Sequence, residues 1–382
     1  MTERLYETDS YCASFDAQVL ACMAEDGRYA VTLDRTAFFP EGGGQPGDVG
    51  TLGGARVLDT QLRGGDPVHL CDRPLSGAVH GELDFDRRFT LMQQHSGEHI
   101  FSGVVHSVCG WNNVGFHMGE TAVTVDFDGR ITPEELLRIE KLANEAIYRN
   151  LPIEILCPSP DEAERYSYRS KKEVEGQLRL TRIPGVDLCA CCGTHVARTG
   201  EVGIIKVTDC MNYKGGVRVT LQIGRRALAD YREKNAQTAA VSALLCAKPY
   251  EIAAAVEKLQ EKNKALDFAL GGVKRQLFAA LCADAGGETA CRFYPGGSAE
   301  DARQLADALA EHVTLAAAFA GADGDYKYAL ASRTADVRAV AKALNAACGG
   351  RGGGKPQLAQ GAVTATKETI TAFFADRKEE TA

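Results

Sequence analysis

Two short spacings about ninety residues apart constrain this chain more than any other feature in it. His95-Ser96-Gly97-Glu98-His99 sets two imidazoles four positions apart, inside a segment (91–108) whose apolar residues recur with a helical period. Residues i and i+4 share one face of a helix, close enough to ligate a single metal ion. Cys189-Ala190-Cys191-Cys192-Gly193-Thr194-His195 holds a cysteine and a histidine at the same separation in a glycine-containing turn. Thiolate and imidazole are ligands that zinc prefers. A fold that uses both pairs must carry a helix and a distant turn to one point. Cys191 has the four-residue offset to His195, with Cys189 and Cys192 as competitors. A closed Cys, His, His, His set describes a structural site, whereas hydrolysis needs a position for water or substrate, and spacing leaves both open.

The segments around these pairs read as α+β. Phe15, Ala17 and Val19 alternate ahead of an Asp26-Gly27 turn, and Tyr29, Val31 and Leu33 alternate after it, which is a hairpin signal. Short apolar runs continue to Asp86, so residues 1–88 are expected to form an N-terminal β-barrel with a glycine loop. Residues 89–226 are expected as an α+β zinc-binding domain. It should have a strand over 121–127, a helix opened by the Thr132-Pro133-Glu134-Glu135 capping box, and strands at 203–207 and 217–223. Residues 227–284 are expected as a helical connector broken near Lys248-Pro249. In it Ile252, Val256, Leu259, Asn263, Leu266, Leu270, Val273 and Leu277 step as heptads, the pattern of a helical hairpin or short coiled coil and a route to a homodimer. Residues 285–382 are expected as a small C-terminal α/β domain. Its elements should be helices over 302–312 and 336–348, strands at 315–319 and 326–331, and a glycine-rich loop over 349–356.

Charge narrows the partners. A net charge of -8 argues against indiscriminate nucleic-acid binding, which needs Lys and Arg on one surface. Two local stretches run the other way and flank the cysteine cluster. Residues 165–182 hold Arg165, Arg169, Lys171, Lys172, Arg179 and Arg182 against Glu173 and Glu175, and residues 206–226 hold Lys206, Lys214, Arg218, Arg225 and Arg226 against Asp209. No run of 18 apolar residues and no basic-then-apolar leader is present, so a membrane span and secretion lose support. Thirteen cysteines, an odd number, fit reduced thiols and metal ligands better than a disulfide framework, and the expected location is cytoplasmic.

A second glycine cluster, Glu41-Gly42-Gly43-Gly44-Gln45-Pro46-Gly47-Asp48, permits positive φ and leaves backbone N–H groups uncovered for a ligand or anion. The C-terminal Gly349 to Lys355 satisfies Gly-x4-Gly-Lys. Pro356 stands where a magnesium-binding Ser or Thr would be, and a helix precedes the glycines where a strand should, so a nucleotide-triphosphate site is rejected.

LDRTAFFPEGGGQPGD, then QQHSGEH, then CCGTHVARTGEVG resembles the editing region of alanyl-tRNA synthetases and, more closely, their free-standing AlaX relatives. GGRGGGKPQLAQG is similar to the C-terminal domain that alanyl-tRNA synthetase shares with DHH-type phosphoesterases. The resemblance implies zinc on His95, His99, Cys191 and His195. It implies that Thr36 and Gln45 line the pocket and read a hydroxyl, with Gly43 and Gly44 beside them. It implies that Arg351 and Lys355 contact tRNA phosphates, and the two basic stretches, read from charge alone, add Lys171, Lys172, Lys214 and Arg218 as expected tRNA contacts. The family pattern reads Cys-Gly-Gly-Thr-His, and Cys192 replaces its first glycine here.

The chain starts at the barrel, with no room ahead of it for an aminoacylation domain. The expectation is therefore a hydrolase acting in trans on mischarged tRNA-Ala, removing serine, with glycine as the alternative. An alanine pocket rejects an added hydroxyl by only about 100-fold, while a site that hydrogen-bonds that hydroxyl can favour serine by roughly 10⁴. Zinc can lower the pKa of a water, and glycine-loop N–H groups can stabilise the oxyanion. Two rivals remain: an inverted-zincin metalloprotease with Glu98 as base, and a non-catalytic RNA-binding protein with a structural zinc.

Overall fold

Asp26 and Gly27 both take positive φ, 47° and 76°, the backbone of a two-residue hairpin whose twist matches its flanking strands. The computed structural model describes residues 2–170 and 177–379, so Lys171 and Lys172, two of the expected RNA contacts, lie outside the described residues. The chain divides into two units, Met1–Val241 and Ser242–Ala382.

In the first unit the hairpin belongs to a closed antiparallel barrel. Its strands run in the order Ser14–Glu25, Arg28–Leu33, Asp66–Cys71, Ala55–Arg63, Gly50–Leu52 and Ala78–Leu83. The alternation read from sequence points Phe15, Ala17, Val31 and Leu33 inward, where they pack with Phe38, Leu52, Val57 and Leu83. Closure leaves no exposed sheet edge, which stabilises so small a sheet.

Asp84 then caps the helix Phe85–Cys109, its carboxylate accepting the Arg87 N–H at 3.0 Å. Every residue from Leu91 to Val105 is buried, which is why this helix shows little amphipathic contrast. Gly97 and Gly103 make such burial possible: a Cβ on Gly97 would lie 2.6 Å from Ile223, and one on Gly103 2.4 Å from the Val186 carbonyl. The helix packs against an antiparallel sheet ordered Ile205–Tyr213, Gly216–Ile223, Val123–Phe127 and Asn113–Met118. Helix Pro133–Tyr148 carries the expected capping box, with the Glu135 N–H donating to Thr132 at 3.2 Å and the Thr132 N–H to Glu135 at 2.8 Å. A further three-stranded sheet, Glu154–Leu156, Leu180–Ile183 and Asp187–Ala190, is not anticipated by pattern, because its strands are too short to show a period. Its last strand delivers the chain directly into Cys191.

The second unit has a five-stranded sheet ordered Thr289–Pro295, Leu315–Ala322, Asp325–Ala331, Leu358–Val363 and Arg351–Lys355, with only the first pair parallel. Helix Ala299–Leu309 covers one face; Arg338–Ala347 and Lys367–Glu379 cover the other. The expected glycine loop is largely a strand, since Arg351–Lys355 pairs along its length with Leu358–Val363. Glycine weakens strands, so composition points to a loop, yet pairing to one neighbour supplies the backbone hydrogen bonds that propensity withholds. Strand Thr289–Pro295 also goes unanticipated. In helix Ile252–Cys282 the heptad residues Leu259, Leu266, Leu270 and Val273 are exposed. No single helix among the described residues is long and apolar enough to cross a membrane.

Candidate metal centre

The buried helix presents His95 and His99, and the turn after Asp187–Ala190 presents Cys191 and His195. Candidate ligand atoms of all four lie within 4.8 Å of one another. Cys191 Sγ is 3.3 Å from His95 Nε2 and 3.4 Å from His195 Nε2. Cys191 is thus the cysteine grouped with the three histidines. Cys192 is exposed, and buried Cys189 groups with His99 and Asp187 instead.

Each imidazole is held from behind through Nδ1. His95 Nδ1 donates to Gln45 Oε1 at 2.9 Å and His99 Nδ1 to Asp187 Oδ2 at 2.9 Å, while His195 Nδ1 meets Ser96 Oγ at 3.2 Å. An amide oxygen and a carboxylate only accept, so the first two rings carry hydrogen on Nδ1 and offer the Nε2 lone pair inward. Arg169 holds Asp187 with two bonds of 2.8 and 2.9 Å, and Gln45 Nε2 donates to Thr194 Oγ1 at 2.8 Å. These outer partners are the arrangement that fixes tautomer and ring angle in metal sites.

Electrostatics favours a cation here. Burial opposes ionisation of Cys191, but the three imidazoles around it outweigh burial and hold the thiol well below its ordinary range. Burial pushes His195 down to about 3, against the pull of the Cys191 thiolate, so its ring is neutral and able to ligate. Burial also works against a charged His99, yet the Cys191 thiolate and Asp187 outweigh it and raise that ring above its ordinary range, so a metal binding at His99 Nε2 displaces a proton there.

Gly193 shows why the turn cannot be built otherwise: a Cβ there would lie 2.1 Å from His95 Cε1 and 3.1 Å from Gln45 Oε1. Cys192, which departs from the family pattern, points outward and meets no such limit.

The other expected residues fall in different places. Gly43 and Gly44 take φ of 60° and 84° in a tight turn closed by paired bonds between Gly42 and Gln45, both 3.0 Å. Gly44 lies against Phe116, whose ring is 5.3 Å from that of His95. Gln45 is buried, and its commitments to His95 and Thr194 leave at most one amide hydrogen for a ligand. Thr36 is buried beside His69, with Oγ1 2.8 Å from His69 Nε2. Arg218 is paired with Asp126 at 2.6 and 2.7 Å and stacks 3.9 Å over Tyr213, whereas Lys214 is exposed at a hairpin tip. Arg351 and Lys355 are exposed on the edge strand of the second unit. Glu98 turns to Ser102, whose hydroxyl donates at 2.6 Å, and to the Asn113 amide.

Pattern reading misses Asp187 and Ser96 as partners of the histidines and Arg169 as the partner of Asp187. Asp187 and Cys189 are two apart on one strand and so share a face, a period-two signal available in the sequence but too short to stand out.

Comparison with known proteins bears on the same segments. The family described as threonyl and alanyl tRNA synthetase second additional domain matches residues 178–225, and the DHHA1 domain matches residues 286–380. An alanine--tRNA ligase of Pyrobaculum neutrophilum is 33% identical over 399 aligned positions, covering 97% of this chain and 43% of that protein. One from Natronomonas pharaonis is 33% identical over 389 positions, covering 94% and 42%. The chain is similar to alanyl-tRNA synthetases along nearly its whole length. It spans less than half the length of these relatives. Its 178–225 match contains the cysteine turn and strand Gly216–Ile223, against which the histidine-bearing helix packs at Gly97. The C-Ala domain from Aquifex aeolicus alanyl-tRNA synthetase is 19% identical over 25% of this chain and 93% of that one; its TM-score of 0.23 is too low to bear on the fold.

Proposed function

We propose that this chain hydrolyses the aminoacyl ester of mischarged tRNA-Ala, with serine as the preferred amino acid and zinc as the cofactor. One observation carries the reading: three imidazoles, each held through Nδ1, converge with a thiolate beside a glycine turn. That donor set matches zinc, which His95, His99, Cys191 and His195 would hold. Zinc, when bound, supplies Lewis-acid activation. The residues of the chain do the rest. Gly44 packs against Phe116, whose ring lies 5.3 Å from that of His95, and the N–H groups of Gly43 and Gly44 are the candidates for an oxyanion. Gln45 keeps His95 in one tautomer.

Serine preference is supported by hydrogen-bond arithmetic at Thr36. His69 Nδ1 lies 3.0 Å from the Val31 carbonyl, which only accepts, so Nε2 bears the lone pair and takes the Thr36 hydroxyl hydrogen. The Phe38 N–H uses one Thr36 lone pair at 3.1 Å. What remains is an acceptor, suited to a hydroxyl and of no use to a methyl group. Gln45 is then a positioning residue first and a reader of the hydroxyl second.

The test is deacylation of seryl-, glycyl- and alanyl-tRNA for alanine by zinc-loaded and chelated protein. Turnover of the seryl substrate alone, lost on chelation, is the expected result; tight RNA binding with no turnover would favour the structural-zinc reading, which the four-residue ligand set supports. A protease reading is weaker because Glu98 is committed to Ser102 and Asn113. The exposed Leu259, Leu266, Leu270 and Val273 support a homodimer through the long helix, and the thirteen unpaired cysteines support a cytoplasmic setting.

A further inference from the structure

A cleft of about 610 Å³ lies beside the glycine turn, lined among others by Pro46, Arg87, Met118, Glu120, Arg225 and Arg226. Two of its arginines are held by backbone alone: Arg87 Nη1 donates to the Gly47 carbonyl at 2.8 Å and Arg226 Nη1 to the Gly119 carbonyl at 2.6 Å. Arg225 differs, being paired with Asp86 at 2.7 Å. No ion pair joins Arg87 or Arg226 to a carboxylate among the described residues. Asp84, also on the wall, keeps its negative charge while it caps the helix Phe85–Cys109, and it and Glu120 share the wall with the two guanidinium groups without an ion pair to either. Arg226 keeps an unmet demand for an anion, because burial first and Arg87 second hold it below its ordinary range against the pull of Glu120. The helices Phe85–Cys109 and Arg225–Leu245 both begin at this cleft and add the positive ends of their dipoles.

The cleft adjoins the metal centre along both walls. Pro46 follows Gln45, which holds His95, and Met118 lies two residues from Phe116, which packs on the His95 ring. Two residues are at most roughly 7 Å of extended chain. The Met118 N–H donates to the Gly44 carbonyl at 3.3 Å, tying the two walls together.

We propose that Arg87 and Arg226 clamp a phosphodiester of an RNA strand whose 3′ end runs past Pro46 and Gln45 to the metal centre. The inference deepens the proposed function, since it supplies the track that brings the ester to the site. Planar guanidinium groups suit phosphate oxygens, and each phosphate neutralised adds a salt-dependent contribution to binding.

The test is binding of an uncharged hairpin with the tRNA-Ala acceptor stem and CCA end to the full chain, between 50 and 200 mM salt. Replacing both arginines by glutamine (R87Q with R226Q) should weaken binding about 10-fold at the lower salt and flatten the log–log salt slope by about 1 to 2. Replacing both by lysine should restore most of that slope, which a merely structural role would not. The single glutamine variants serve if the double variant loses its fold. An unaltered slope, or a loss that lysine does not rescue, overturns the clamp. So does millimolar inorganic phosphate saturating the cleft while the glutamine variants keep full RNA affinity, which would mark a free-anion site. The readout needs no turnover. A clamp without deacylation therefore sinks only the proposed function, and deacylation with an unaltered slope sinks only the clamp.

Discussion

The chain has two glycine clusters of similar composition, and they do opposite things. Gly42 to Gly44 forms a tight turn with two positive φ angles, pressed against Phe116 and followed by a buried glutamine. Gly352 to Gly354 lies in an extended edge strand, exposed and paired on one side. In the first cluster glycine is required for conformation; in the second, Gly352 and Gly354 are needed for room against the neighbouring strand, where a Cβ would meet the Gln360 carbonyl at 2.3 Å and the Leu358 carbonyl at 2.1 Å. A glycine run therefore says only that something cannot be there. The neighbours decide whether that something is a backbone angle or a side chain.

The contrast can be broken most sharply at Arg88. This fully buried guanidinium ties the end of the first cluster to the barrel through Asp48, the Ala37 carbonyl at 2.7 Å and the Ser10 carbonyl at 3.0 Å. Arg88→Ala leaves Asp48 buried and unpaired and should cost about 3 to 5 kcal/mol in urea unfolding; a loss under 1 kcal/mol would mean the turn holds itself. Acid titration comes next. Burial holds His69 at about 4 against an ordinary 6.5, so the native state binds fewer protons than the unfolded chain between those values. Stability is full above about pH 6.5 and falls as pH drops toward 4, by at most ~3 kcal/mol. His69→Phe should remove the His69 share of that slope in denaturation curves taken at each pH, leaving the share of His195, which burial lowers over the same window.

Asp187→Ala should weaken zinc binding about 10- to 100-fold in competition with a chromophoric chelator, because His99 loses its outer acceptor. Unchanged affinity would show that the rings need no such support. The smallest expected effect is at Gly353, where a Cβ meets nothing within 4 Å. Gly353→Ala should change stability by less than about 0.5 kcal/mol, whereas Gly193→Ala should abolish the centre, and similar outcomes for the two would end the comparison.

Much of the architecture was legible because it rests on repetition. The barrel hairpin, the Thr132 capping box and the helix carrying His95 and His99 each repeat a local rule over enough residues to be counted. The strands Leu180–Ile183 and Asp187–Ala190 were not legible, since four residues cannot establish a period. Arg351–Lys355 was misread because glycine propensity speaks against strands and the pairing that overrides it comes from Leu358–Val363. At the centre, the candidate ligands could be named from spacing, but the roles of Gln45 and Arg218 could not. Nothing local says that Gln45 faces His95, or that Asp126 already neutralises Arg218.

The amino-acid order alone determined which side chains could ligate, since a separation of four residues on a helix or in a turn is a property of the local backbone. Only the tertiary structure decided that the two pairs meet, that Cys191 and not its neighbours joins them, and that Gln45, Asp187 and Ser96 stand behind the rings. The reason is range: hydrogen-bond partners and buried charges act over a few ångströms of space, and about ninety residues of sequence carry no trace of that distance.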